Sequence, residues 1–140
     1  MEKNRPLIGV GILLFSFEGK LLLCKRRGAH GAGSWGPPGG HLEFGDTPQQ
    51  TACKELYEEA GVLLTVDEIY FVGFTNDFFK AEQKQYVSLF FKACQAWAGP
   101  VINKEPDKIS QIEWFDIHEL PQELFLPLRN FISCYGITAL

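Results

Sequence analysis

The chain lacks the features that mark several common protein classes. Its 140 residues include four cysteines, Cys24, Cys53, Cys94 and Cys134, about 30–40 residues apart with no C-x-x-C pair, which excludes a zinc ribbon and a dithiol redox motif. Each cysteine sits in an apolar neighbourhood and is expected as a reduced core residue of a cytosolic protein. Basic runs are also scarce. The densest is Lys25-Arg26-Arg27, and a net charge of −4 argues against a nucleic-acid polymer as partner, because no stripe of cations is offered to a phosphate backbone. No apolar run reaches membrane-spanning length. The start, Met1-Glu2-Lys3-Asn4-Arg5-Pro6, is polar and leads to Gly9, Gly11 and the turn Glu18-Gly19-Lys20, unlike the apolar core of a signal peptide. A cytoplasmic protein with no membrane partner is expected. Repeats, low-complexity stretches and linkers are missing too, so residues 1–140 are read as a single domain.

What the chain has is a globular composition, 46% apolar and 21% charged, with twelve phenylalanines. Leu7 to Phe17 and Leu21-Leu22-Leu23-Cys24 flank a short Gly-containing turn and predict a hairpin. Gly28 to Gly45 contains seven glycines and two prolines and predicts loop, with a short strand at His41-Leu42-Glu43. Thr47 to Gly61 predicts a helix: Thr47 and Gln50 make a capping box, Pro48 suits the first helical position, and Gly61 suits the stop. Its apolar face is Ala52, Cys53, Leu56 and Ala60. Ile69–Phe79 and Tyr86–Ala96 predict aromatic-rich strands joined by Lys80–Gln85; Ile109–Phe115 predicts another, and Leu124–Tyr135 a closing helix. Strands mixed with two helices indicate an α/β or α+β sandwich.

On the predicted helix, Glu55, Glu58 and Glu59 stand at i, i+3 and i+4. At roughly 100° per residue, Glu58 and Glu59 fall about 60° to one side and about 40° to the other side of Glu55, opposite the apolar stripe. Like charges so placed repel, and they lie near the helix C-terminus, where the macrodipole disfavours anions. One reading is a solvated acidic face balanced in part by Lys54. The other is that a divalent cation relieves the repulsion, and all-oxygen ligands suit Mg²⁺ or Mn²⁺. Gly39-Gly40 lets the backbone pass close to a ligand or offer a carbonyl to a metal, though glycines also simply make turns.

The segment from Gly40 through Asp46 to Lys54-Glu55-Leu56-Tyr57-Glu58-Glu59-Ala60-Gly61-Val62 resembles the Nudix box: Gly, five residues, Glu, seven residues, Arg-Glu-apolar-any-Glu-Glu-any-Gly-apolar. Gly40, Glu55, Leu56, Glu58, Glu59, Gly61 and Val62 fall in register over 23 positions. Asp46 stands where the family has Glu, Lys54 where it has Arg, and Pro37 replaces the usual apolar residue before Pro-Gly-Gly. Pro38-Gly39-Gly40-His41-Leu42-Glu43-Phe44-Gly45 and Asn103-Lys104-Glu105-Pro106-Asp107-Lys108 resemble a subgroup that includes nucleoside-triphosphate pyrophosphohydrolases and enzymes acting on prenyl diphosphates; Trp114 and Leu120-Pro121 extend the likeness.

That resemblance implies the Nudix fold, an α/β/α sandwich around a mixed β-sheet. It implies hydrolysis of a phosphoanhydride bond in a nucleoside triphosphate, including a modified or damaged one, giving nucleoside monophosphate and pyrophosphate. The alternatives are a prenyl or other non-nucleotide diphosphate as substrate, or an inactive nucleotide-sensing module. Glu58 and Glu59 would be the principal Mg²⁺ ligands, with Mn²⁺ as substitute, helped by the Gly39 carbonyl. Glu55 would complete the metal cluster or act as base, positioned by Lys54, and Glu105 would be a further ligand or base from its loop. Arg26 is the candidate phosphate contact, Gly40 belongs to the substrate loop, and Phe78, Phe79 and Tyr86 are candidates for stacking on a base, each against the alternative of ordinary packing or surface charge. Relatives are often homodimers.

Overall fold

Leu21, Leu22, Leu23 and Cys24 are all buried, as expected for an apolar run without alternation, which must be covered on both faces. The computed structural model describes residues 4–140, so the polar reading of Met1-Glu2-Lys3 lies outside them. Among the described residues the strands are β1 (Leu7–Leu13), β2 (Leu21–Arg26), β3 (Trp35–Gly36), β4 (Gly39–His41), β5 (Ile69–Phe79), β6 (Lys84–Ala93) and β7 (Ile109–Phe115). The helices are α1 (Pro48–Ala60) and α2 (Leu126–Tyr135), with short 3-10 turns at Val66–Glu68, Lys80–Glu82 and Ile137–Ala139.

The expected β1–β2 hairpin forms only at its base, where Phe15 bridges Leu21 and the Leu22 N–H donates to the Leu14 carbonyl at 3.0 Å. Beyond that the strands are claimed by different partners. β1 runs parallel to β6 and antiparallel to β4 in a mixed sheet of order β4-β1-β6-β5, whereas β2 lies between β3 and β7 in a second, antiparallel sheet. Helix α1 closes one side. Its Ala52, Leu56 and Ala60 pack with Val10, Ile12, Leu22 and Phe91. Helix α2 closes the other, where Leu128 and Phe131 meet Leu13, Leu21, Leu23 and Phe90. The result is the expected α/β/α sandwich around a mixed sheet. Leu56 is fully buried, so its truncation to alanine removes about 2–5 kcal/mol.

The ends of α1 are those expected. Thr47 Oγ1 accepts from the Gln50 N–H at 3.1 Å and Gln50 Oε1 accepts from the Thr47 N–H at 2.8 Å. Gly61 closes the helix at φ 71°, a left-handed conformation that favours glycine. Other boundaries shift. The short strand is Gly39–His41 instead of His41–Glu43, β3 appears inside the Gly-rich stretch, β6 begins two residues early and stops at Ala93, and α2 begins at Leu126. The cysteines divide: Cys24 is buried and Cys53 half-buried, but Cys94 beyond the end of β6 and Cys134 on α2 are exposed, and all four are free. Among the described residues no helix is long and apolar enough to cross a membrane.

Candidate active site

The last carbonyls of a helix have no partner within it. At the end of α1 they are met by the loop between β6 and β7: the Lys104 N–H donates to the Glu59 carbonyl at 3.0 Å and the Ile102 N–H to the Ala60 carbonyl at 3.1 Å. The Lys104 ammonium sits 3.9 Å from the Tyr57 ring centroid. Asn103 fixes the next turn, its amide nitrogen donating to the Ile109 carbonyl at 2.7 Å and its oxygen accepting from the Glu105 N–H at 3.0 Å. This docking delivers Glu105 to the helix glutamates, and one carboxylate oxygen each from Glu55, Glu59 and Glu105 lie within 4.8 Å of one another.

Glu55 and Glu59 are drawn against β4 instead of standing wholly opposite the apolar stripe. The Gly39 N–H donates to Glu59 Oε1 at 3.0 Å. A Cβ at Gly40 would lie 2.6 Å from the Glu55 carboxyl carbon, and one at Gly39 would lie 2.0 Å from the Val10 carbonyl oxygen. The two glycines thus admit a carboxylate and a neighbouring strand, and the observed contact of Gly39 with the cluster is through its N–H. Burial, reinforced by the negative charges of Glu58 and Glu105, pushes the Glu55 carboxyl up to about 7. Burial pushes Glu59 up to about 8 against the opposing effect of the Gly39 N–H, with Glu55 and Glu105 adding to the rise. Glu58 remains exposed at the solvent edge, outside this trio.

Lys54 does not touch Glu55. Its Nζ reaches Glu43 Oε2 at 2.5 Å and Asp46 Oδ2 at 2.7 Å, tying the loop before α1 to the helix. The two positions that depart from the box pattern, Asp46 and Lys54, are therefore each other's partners, and opposite charge is kept across the pair.

From the carboxylates a cavity of about 520 Å³ runs between the two sheets. Arg26, Gly39, Gly40, Phe79 and Tyr86 line it as expected, but Phe78 does not. Alternation along β5 turns Phe78 to the other side, where it is 51% exposed. Sequence reading missed His30, His41, Ser88 and Phe125, which also line the cavity. His30 Nδ1 lies 2.7 Å from Glu82 Oε1, and its ring stacks on Tyr86 at 5.1 Å and lies 4.4 Å from Phe79. His41 Nε2 lies 2.8 Å from the Tyr86 hydroxyl, with the rings inclined by 7°. The Arg26 guanidinium lies 4.0 Å from the Phe125 ring centroid, and its Nε donates to the His30 carbonyl at 3.0 Å. Burial lowers the Arg26 pKa, with the charge of Glu59 working the other way. Only His41 carried a signal in sequence, its place in the Pro-Gly-Gly-His stretch; the others meet through tertiary structure alone.

The NUDIX domain family matches residues 5–133. The chain belongs to the Nudix family. It is a Nudix hydrolase, similar to the oxidized purine nucleoside triphosphate hydrolase of Danio rerio, with 34% identity over 79% of this chain and 67% of that protein. A putative mutator protein MutT4 of Mycobacterium tuberculosis shares 28% identity over 64% of this chain, which spans only 36% of that longer protein. Among solved structures, a MutT Nudix hydrolase from Burkholderia pseudomallei superposes with TM-score 0.78 at 30% identity, covering 86% of this chain and 91% of that one. A MutT protein from Methanosarcina mazei superposes with TM-score 0.81 at 19% identity over 96% and 95% of the two chains, a likeness of fold.

Proposed function

We propose that this Nudix hydrolase cleaves nucleoside triphosphates between the α- and β-phosphates, giving nucleoside monophosphate and pyrophosphate, and that it needs Mg²⁺. The observation that carries this reading is that one cavity is lined both by Glu55 and Glu59, whose carboxylates Glu105 joins within 4.8 Å, and by the rings of Phe79, Tyr86 and Phe125. The cluster fits a hard divalent cation: its donors are all carboxylate oxygens, close enough together that their charges need an offset, and no sulfur or imidazole lies among them. A cation held there supplies charge neutralisation to the substrate phosphates and makes a water easier to deprotonate. The chain's own residues do the rest. Glu55 and Glu105 share the tasks of holding the cation and accepting the proton of the attacking water. Arg26 meets a phosphate, and the aromatic rings hold the base by stacking, so that the bond to be cut rests beside the carboxylates. The likeness to an oxidized purine nucleoside triphosphate hydrolase supports a purine as the base.

The test is a panel of ordinary and oxidised nucleoside triphosphates, with prenyl diphosphates for contrast, incubated with Mg²⁺ and resolved by chromatography. Pyrophosphate with monophosphate as the first products is the expected result. Orthophosphate as first product, or turnover of prenyl diphosphates alone, would overturn it.

A further inference from the structure

Among the described residues, the buried polar side chains are Thr51, Thr75, Asp77 and Ser88, and the last three gather on neighbouring positions of β5 and β6. Asp77 is wholly enclosed. One of its oxygens accepts from Ser88 Oγ at 2.5 Å and the other from the Asn130 amide of α2 at 2.9 Å. None of the ion pairs among the described residues includes Asp77. Thr75, paired with Ser88 across the ladder, has a buried hydroxyl oxygen with no partner. Burying a carboxyl group among neutral partners costs more than burying an apolar side chain of similar size in the same wall. Such a departure from good packing points to a use.

The use follows from Ser88. It lines the cavity beside Gly9, and a Cβ at Gly9 would come within 3.3 Å of Ser88 Oγ, so the glycine leaves the hydroxyl open to a ligand. A serine hydroxyl has one hydrogen and two lone pairs, and Ser88 Oγ is the donor in its bond to Asp77 Oδ2. The hydrogen of Ser88 is therefore committed to Asp77, and what remains facing the cavity is an acceptor. We propose that Ser88, held in this state by Asp77, is a specificity-determining acceptor that reads an N–H donor on the edge of the substrate's base. This rests on the nucleotide reading above and adds to it the polarity of base recognition. A ring nitrogen carrying a lone pair is turned away; an amine or lactam N–H is accepted. Oxidation of a purine at C8 makes that very exchange at N7, replacing a lone pair with an N–H.

Matched triphosphates differing in a donor test it: guanosine against inosine, adenosine against purine riboside, and 8-oxo-deoxyguanosine against deoxyguanosine. In at least one pair the donor-bearing member is expected to show a kcat/KM about tenfold higher, mostly through KM, since a buried acceptor left unpaired is expensive. Ser88→Ala should bring that ratio below about threefold, chiefly by raising the KM of the donor-bearing member. Gly9→Ala keeps the Ser88 hydroxyl but sets a methyl 3.3 Å from its oxygen, screening it, and should shrink the same ratio. Equal turnover within every pair, preference for the donor-less members, or a ratio untouched by both substitutions overturns the assignment of Ser88 alone. Failure of all the triphosphates to react overturns the nucleotide reading and this proposal with it.

Discussion

At one end of the cavity stand Glu55 and Glu59, and Glu105, from the loop docked on the last turn of their helix, brings a carboxylate oxygen within 4.8 Å of theirs. At the other end, His30, Phe79, Tyr86 and Phe125 converge from separate stretches of chain. On the proposed reading the first end concentrates like charge that a cation offsets, and its side chains act where bonds change. The second offers ring faces and fixed dipoles, which act on whatever is bound. Substitutions at the acidic end should therefore be felt in kcat, and those at the ring end in KM.

The largest effect that sharpens this contrast is expected from Glu59→Gln. At saturating Mg²⁺ it should lower kcat at least about 10²-fold, because a misplaced group at the reacting centre costs that much. The amide still accepts from the Gly39 N–H, so the melting temperature of the metal-free protein should not fall. Glu58→Gln should cost less than Glu59→Gln, and the reverse order would move the centre of the site toward solvent. Glu105→Gln should lower kcat at least about tenfold and leave the melting temperature within a few degrees, as measured by steady-state kinetics and a thermal melt on one preparation. If kcat stays at the wild-type value, Glu105 is only loop polarity.

Phe125→Ala is the matching break at the ring end. Loss of one stacking face is expected to raise KM about tenfold with a smaller change in kcat. A fall in kcat alone would erase the division between the ends.

A smaller effect concerns pH. Glu55 and Glu59 have carboxyls raised to about 7 and about 8 in the folded chain, above the usual carboxylate range of the unfolded one. The folded state then holds the extra protons, so the stability these groups contribute is full at acid pH and is lost as pH rises through 7 and 8. A cation must displace those protons. The rise in melting temperature on adding Mg²⁺ should accordingly be larger at pH 8.5 than at pH 6; an equal rise would separate the cation from these glutamates. The smallest effect is expected of Lys54→Ala. Lys54 is on Glu43 and Asp46 and not on Glu55, so the variant should melt slightly lower and keep kcat within about threefold, as exposed ion pairs contribute little.

The same contrast decides what could be read from sequence. Glu55 and Glu59 are one turn apart, and the signals that bound their helix, Thr47, Gln50 and Gly61, act within a few residues of themselves. Strands β5 and β7 also have the bounds that their composition predicts. The splaying of β1 from β2 was not legible, because β1 pairs with β6, some 80 residues away in sequence. Nor was the place of Lys54, since which carboxylate a long side chain reaches depends on the path of the loop before α1. The acceptor state of Ser88 depends on Asp77 across a ladder and Asn130 on α2, and no spacing announces it.

Binding of Mn²⁺ followed by the electron paramagnetic resonance of the free ion tests most directly whether Glu55, Glu59 and Glu105 form the metal centre. At pH 8, Phe125→Ala should bind Mn²⁺ as wild type does, while Glu59→Gln should bind at least about tenfold more weakly. Equal binding by wild type and Glu59→Gln would contradict the account.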